Sequence, residues 1–335
     1  ASDGDAEAAL AAARAAAGEL PSQLATLGGW SICRHHRLWP RGLAALGEAA
    51  PRALFGSGKE TALAELDSQP AASIVGARRA GTYGRDVAKS LAGELGAAGV
   101  GVVSGLAFGI DTAAHEGALG AGGLTVAVLG TGPERAYPRS RQSLYRRIVS
   151  DGLVLSELPP ETPTFRWMFP ARNRIMAALG GMTLVVEAAE RSGSLITTEM
   201  AADIGRPVGA VPGPINSWRS SGANRLLAEG AIVVRGATDV LDCLLGPGSR
   251  AATRMGRPLD PDQIRICEEI AAGAATQDEV ARRTGLPAPR SAAAIATLEL
   301  EGYVLSDAVG RLRRSQMAAP DEADSNTLRA DTIGA

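Results

Sequence analysis

The chain has 335 residues, enough for about two domains at roughly 150 residues each. Its net charge is −2 and 45% of its residues are hydrophobic, so a full core can form but no overall basic charge attracts nucleic acid; an anion site must be a local patch. Cys33, Cys243 and Cys267 are too scattered for a disulfide framework, which fits a reducing cytoplasm, and the Cys33, His35, His36 cluster lacks a fourth zinc ligand.

Residues 5–20 read as an alanine-rich helix, and their acidic start (Asp3, Asp5, Glu7) does not suit a signal peptide. No apolar run reaches the roughly 18 residues of a membrane span. Residues 1–70 are expected to be a short helical and irregular segment. From Ser73 a rhythm of short apolar strands and amphipathic helices begins. Strands are predicted at 73–76, 101–104, 125–129, 153–156, 183–187, 208–211 and 232–234. Helices are predicted at 84–98, 111–120, 140–150, 170–179, 195–204 and 221–229. Continuous apolar strands alternating with helices give an α/β fold, an extended Rossmann-like parallel sheet with helices on both faces, over residues 71–246. Residues 247–258 read as a linker. Residues 259–315 carry three short helices (261–272, 276–284, 288–301) and a hairpin around Gly310, the pattern of a winged helix. Thr276 and Glu279 have capping-box spacing, and Gly285 marks a helix stop. The acidic, polar stretch 316–335 reads as disordered.

In such a sheet the loops after the strands hold the function. The first, Gly76 to Gly84, follows a strand and opens a helix, a place where backbone N–H groups hold anions. It is not GxGxxG. Nor is Gly56-Ser57-Gly58-Lys59 a P-loop, because Glu60 replaces the hydroxyl residue and Ala53 the upstream glycine. In the second loop, Asp111 and His115 share a helix face near Ser104, so a hydrolytic triad has to be weighed; without a nucleophile elbow, a structural pair is the better reading. Arg135, Arg139, Arg141, Arg146 and Arg147 lie between Glu134 and Asp151 with no acid among them, either a solvated helix face or a basic track for a strand. Ser192-Gly193-Ser194 with Thr197 opens a further helix with small, hydroxyl-bearing residues. Pro212-Gly213-Pro214 and Gly222-Ala223-Asn224 follow. Phe169-Pro170-Ala171-Arg172-Asn173-Arg174 sets an aromatic beside two guanidinium groups. Arginine forks match phosphates and unpaired bases stack on aromatic rings, so this run suits a single strand of nucleic acid.

On these motifs, with Gly130-Thr131-Gly132, Tyr137-Pro138, Ser156-Glu157 and Gly205-Arg206-Pro207, residues 38–245 resemble the DprA (DNA-processing protein A) family, also called Smf. The resemblance implies a homodimer without cofactor that binds single-stranded DNA and loads RecA recombinase during natural transformation, rather than an enzyme. It places DNA contacts at Arg78, Phe169 and Arg174. The candidate interface is then Arg78, Gly105, Phe169, Arg172, Asn173, Arg174, Ser192, Gly193, Ser194 and Thr197. Gly81 stands where the family usually has threonine, and the resemblance does not extend to the family's N-terminal helical domain. The acidic residues Glu268, Glu269, Asp278 and Glu279 argue against tight duplex binding by the winged helix, although Arg311, Arg313 and Arg314 could touch phosphate. Two alternatives compete. One is a nucleotide phosphoribohydrolase of the lysine-decarboxylase-like Rossmann group, kept open by Glu199 but lacking the paired glycines of that group's motif. The other is a transcription regulator that reads duplex DNA through the winged helix.

Overall fold

The computed structural model describes residues 20, 22, 24–247, 257–306 and 310–314. The helix expected at 5–20 lies outside these residues except at Leu20, and the tail 316–335 lies wholly outside them. The chain divides into two units at Ala251–Ala252.

The first unit is built on nine strands: β1 (Gly29–Cys33), β2 (Ala53–Gly58), β3 (Ala71–Val75), β4 (Gly101–Ser104), β5 (Thr125–Leu129), β6 (Leu153–Ser156), β7 (Met182–Val185), β8 (Val208–Ala210) and β9 (Ile232–Val233). Their order is β1-β2-β6-β5-β4-β3-β7-β8-β9. Strands β3 to β9 pair in parallel. Every residue of β3, β4, β5, β6 and β7 is buried, as expected where helices cover both faces. The helices are α1 (Ala62–Ser68), α2 (Thr82–Ala97), α3 (Ile110–Gly120), α4 (Gln142–Asp151), α5 (Met168–Leu179), α6 (Ser194–Asp203), α7 (Ser221–Ala228) and α8 (Ala237–Leu245). Leu63, Ile175, Met176, Leu195 and Ala223 fill one core, and Leu91, Leu95, Ile110, Ala113 and Val240 another.

Two expectations need correction. Residues 1–70 are not merely helical and irregular: β1 and β2 extend the sheet, β2 pairing antiparallel with β6. The glycines that resembled a P-loop belong to β2. A Cβ on Gly56 would sit 2.2 Å from the Trp30 ring, so glycine there admits the indole, whose Nε1 donates to Gly58 O at 2.9 Å. Glycine weakens a strand pattern locally, and that hid the strand. The sequence reading also missed α8, whose first turn is fixed by Asp239 accepting from Arg235 N at 2.7 Å.

The second unit has α9 (Pro261–Ala271), α10 (Gln277–Thr284) and α11 (Ala288–Leu300), followed by an antiparallel pair, β10 (Val304–Ser306) and β11 (Leu312–Arg314). Ile266, Val280, Ile295, Leu298 and Tyr303 form its core. The full capping box lies at Asp260 and Gln263. Thr276 accepts from Glu279 N as expected, but the Glu279 carboxylate turns to Ala275 N. Gly285, at φ +70°, ends α10 in the left-handed conformation that glycine tolerates best.

Candidate nucleic-acid interface

The loops after β3, β4 and β5 meet the first turn of α5 around a cleft of about 150 Å³. Its lining includes Arg78, Gly105, Phe108, Gly130, Tyr137, Phe169 and Arg172. Gly109 brings two of these loops together. It has φ +76°, and a Cβ there would lie 2.1 Å from Ala77 O, so only glycine lets the β4 loop press against the β3 loop carrying Arg78. Phe169 and Tyr137 pair with ring centroids 4.8 Å apart, and the Arg78 guanidinium lies 5.8 Å from the Phe169 centroid. Arg78 is exposed and makes no hydrogen bond or ion pair among the described residues, so its charge is available to an anion. On another side, the Arg141 guanidinium stacks 4.7 Å from the Phe108 centroid. Phe108 is 39% exposed and Tyr137 44% exposed. Aromatic faces alternating with guanidinium groups at a concave edge suit stacked bases and their phosphates.

Beneath the cleft lies a buried polar network. Arg172 is buried; its Nη1 donates to Gly105 O and Val128 O, and its Nε to Asn173 Oδ1. Burial pushes the guanidinium pKa down to about 10, while Asp111 holds it up, so it stays charged at neutral pH. Burial raises the Asp111 carboxyl above its ordinary range; Arg172 and the N–H groups of Ala107 and Gly105 oppose the rise. His115 does not bond Asp111. Its Nε2 accepts from Leu106 N at 3.3 Å, and its Nδ1 lies 2.7 Å from Thr125 Oγ1, which donates to Val102 O. That chain assigns the proton to Nδ1, and burial lowers the imidazole to about 3, so the ring is neutral. The arrangement holds Leu106 at φ +55°, unfavourable for a branched residue. Ser104 Oγ donates to Ile74 O at 2.7 Å. The three residues weighed as a triad are thus spent on holding the loop.

The predicted interface residues do not all converge. Arg78, Gly105, Phe169 and Arg172 line the cleft; Ser192, Gly193, Ser194 and Thr197 belong to the start of α6 after β7 and do not line it. There Ser192 Oγ and Ser194 Oγ are 2.8 Å apart, and the buried Thr197 Oγ1 has no hydrogen-bond partner. Asn173 is buried. Arg174 is a helix residue rather than a loop residue, and its fork is taken: Nη1 and Nη2 meet Glu157 Oε1 and Oε2 at 2.7 and 2.6 Å, and Nε donates to Ala49 O at 2.8 Å. The N-terminus of α2, expected to hold an anion, faces an internal one. Glu187, 4% exposed, accepts from Gly81 N at 2.9 Å, and a Cβ on Gly84 would strike its carboxylate. Strand order reverses between β3 and β7, the crevice where Rossmann folds bind nucleotides, and Glu187 fills it. Sequence reasoning passed over Glu187, Phe108 and Tyr137 as site determinants. The signal for them was their place in the motifs that carry the family resemblance, which did not by itself assign them a contact.

Residues 30–245 match the family model for DNA recombination-mediator protein A, and residues 250–308 match the DprA winged helix domain. The chain belongs to the DprA/Smf family. It is 39% identical over 271 residues to a putative DNA processing protein DprA of Mycobacterium tuberculosis, covering 79% of this chain and 65% of that protein, just under two thirds of its length. It is 36% identical to protein Smf of Escherichia coli, covering 79% of this chain and 73% of that one. Among solved structures, DNA processing protein A of Streptococcus pneumoniae aligns with a TM-score of 0.59 at 40% identity, over 63% of this chain and 73% of that one. The Helicobacter pylori protein, described for its single-stranded DNA binding mode, aligns at 0.58 and 28% identity, over 65% of this chain and 95% of that one. No helix among the described residues is long and apolar enough to cross a membrane.

Proposed function

We propose that the protein binds single-stranded DNA at the cleft edge of the sheet and, as a homodimer, hands the strand to a RecA-type recombinase in DNA processing and natural transformation. The observation that carries the binding is Arg78, which makes no hydrogen bond or ion pair among the described residues, beside the Phe169–Tyr137 pair. A free fork neutralises phosphate while the rings take bases that only an unpaired strand offers. The description of the family as recombination mediators, and the strand-binding relative from Helicobacter pylori, support the same reading. Self-association is supported by the outer edge of β9, the last strand of the sheet among the described residues, where Ile232 and Val233 are partly exposed.

Neither alternative gains from the geometry. Glu199 is exposed on α6, away from the cleft residues, and Ser104 is engaged. On α11 the outward positions include Ala293 and Ala296, which carry no donor for a base edge, and Arg290 pairs with Asp262 at 2.5 Å.

The test is affinity for an oligonucleotide and its duplex across salt. Preference for the single strand, with affinity falling as salt rises, is expected from counterion release. Equal affinity for both forms, or no salt dependence, refutes the binding reading. Recombinase assembly on strands coated by single-strand-binding protein tests the hand-over, and sedimentation tests the dimer.

A further inference from the structure

Outside the cleft, the connection between β8 and α7 carries a further guanidinium–aromatic stack, with Arg219 lying 4.8 Å from the Trp218 ring. Trp218 is 64% exposed and Ile215, on the same connection, 98% exposed. The backbone that carries them is tied down. The Asn224 side chain accepts from Gly213 N at 3.1 Å and donates to Gly213 O at 3.0 Å. Ser217 N donates to Pro214 O, Ser220 N to Ser217 O, and Ser221 Oγ to Trp218 O. A connection closed in this way holds its apolar tip out in water. Exposed tryptophan and arginine held in place are what binding surfaces concentrate.

This tip is continuous with the rim of the cleft. Arg78 and Arg79 share the loop after β3, and Arg79 is exposed and makes no hydrogen bond or ion pair among the described residues. The same loop ends at Gly81, where a Cβ would lie 3.8 Å from Arg219 Cδ. Tyr83, exposed on the first turn of α2, donates from its hydroxyl to Pro212 O at 2.8 Å and so joins α2 to the connection. Arg219 also lies 4.0 Å from the buried Glu187, which draws it back over the crevice. The loops after parallel strands share one edge of the sheet, and β4 and β8 stand three places apart in the strand order. At about 4.8 Å between strands, that separates the cleft from the tip by about 14 Å, a few nucleotides of an extended strand. Along this edge cations alternate with rings. An apolar partner would bury Arg79 and Arg219 against nothing that matches them, whereas a polyanion with flat faces matches both kinds of group.

We propose that Trp218 and Arg219 form a second subsite for the same strand. Arg219 covers one face of the indole and a base stacks on the other. Arg79 and Arg219 take phosphates between this base and the cleft. The proposal rests on the strand-binding reading above and adds a path to it. The strand leaves the cleft at Arg78, follows the sheet edge over the crevice that Glu187 fills, and ends on the tip of the β8–α7 connection. Stacking tolerates any base, so the subsite lengthens the grip on the strand without selecting a sequence.

The experiment uses the full chain and oligothymidylates of about four and about twelve nucleotides, the span of site sizes over which single-strand binders work. The longer strand is followed by fluorescence anisotropy and the shorter by competition against it. Trp218→Ala should weaken the longer strand by at least about fivefold, the low end of one base–aromatic stack, and the shorter strand, which the cleft accommodates, by much less. Trp218→Phe keeps a ring and should retain most of the affinity. Phe169→Ala should weaken both lengths. Thermal melts of Trp218→Ala should match the parent, because the side chain is exposed. Parent-like binding of the longer strand by Trp218→Ala would overturn the proposal and leave strand binding at the cleft standing. An equal loss on both lengths, or a loss in Trp218→Phe as large as in Trp218→Ala, would overturn it as well. Failure of the parent to bind either strand would remove both readings.

Discussion

Arg78 and Arg174 look alike in sequence, each beside a glycine-rich or aromatic motif, but the structure assigns them opposite consequences. Arg174→Ala removes a bidentate pair with Glu157 and strands that carboxylate at 21% side-chain exposure. It also frees the Ala49 and Ala171 carbonyls. Exposed pairs contribute about 0–1 kcal/mol, and breaking a fully buried pair costs about 3–5. A pair one-fifth exposed lies between, at about 2 kcal/mol, or a fall in Tm of roughly 4–8 °C for a domain of this size. Arg78→Ala breaks no hydrogen bond or ion pair and should leave the melt unchanged. It should weaken strand binding by about 1–3 kcal/mol, the range for a charge-assisted contact. Thermal melts and anisotropy titrations on both variants separate the two effects. If Arg174→Ala melts like the parent and loses as much affinity as Arg78→Ala, the assignment of Arg174 to the scaffold is wrong.

Phe169→Ala should cost about 1–3 kcal/mol of binding through the lost base stack; a large drop in Tm with unchanged affinity per folded molecule would place Phe169 in the core instead. Gly105→Ala should displace the Arg172 guanidinium, lowering stability by about 1–3 kcal/mol and affinity with it, and an unchanged urea midpoint would show that Arg172 yields freely. Acid should destabilise the fold through His115. Its folded pKa of about 3 lies below the ordinary 6.5, so the unfolded chain binds the extra proton between those values. That stability is fully present above pH 6.5 and is lost as pH falls, by about 2 kcal/mol between pH 7 and 5; urea midpoints should show a steeper decline in the parent than in His115→Gln, and equal slopes would refute it.

The parallel sheet was legible because β3 to β7 are buried on both faces and so read as unbroken apolar runs. β1 and β2 were not, since Trp30 requires glycine opposite it and that glycine breaks the pattern. That Arg78 and Phe169 line one cleft agrees with their residue types and, for Arg78, its position after a strand. The fate of Arg172 and Arg174 could not be read from the sequence, because it depends on carbonyls and a carboxylate far away in the chain: Val128, Ala49 and Glu157. A guanidinium that binds phosphate and one that staples a helix have the same sequence signature. Likewise the Asp111–His115 spacing suggested a bonded pair, but Leu106 N and Thr125 Oγ1, supplied by the loop and a neighbouring strand, captured the imidazole.

Glu187 explains why the usual nucleotide crevice of a Rossmann-like sheet is occupied here. Nucleotide sites in this fold depend on free N–H groups at the helix that follows the first parallel strand, and on an open crevice where strand order reverses. In this chain a buried carboxylate accepts from Gly81 N at the start of that helix, and Gly84 gives it room. A diphosphate approaching there would meet a like charge. The open concave surface is displaced to β3, β4 and β5, where Gly109 and Gly105 let two loops close on a buried guanidinium. That cleft is small, with Phe108, Tyr137 and Phe169 among its lining residues and guanidinium groups beside Phe108 and Phe169. A polymer of stackable units joined by phosphates meets that geometry; a compact nucleotide that has to be enclosed does not.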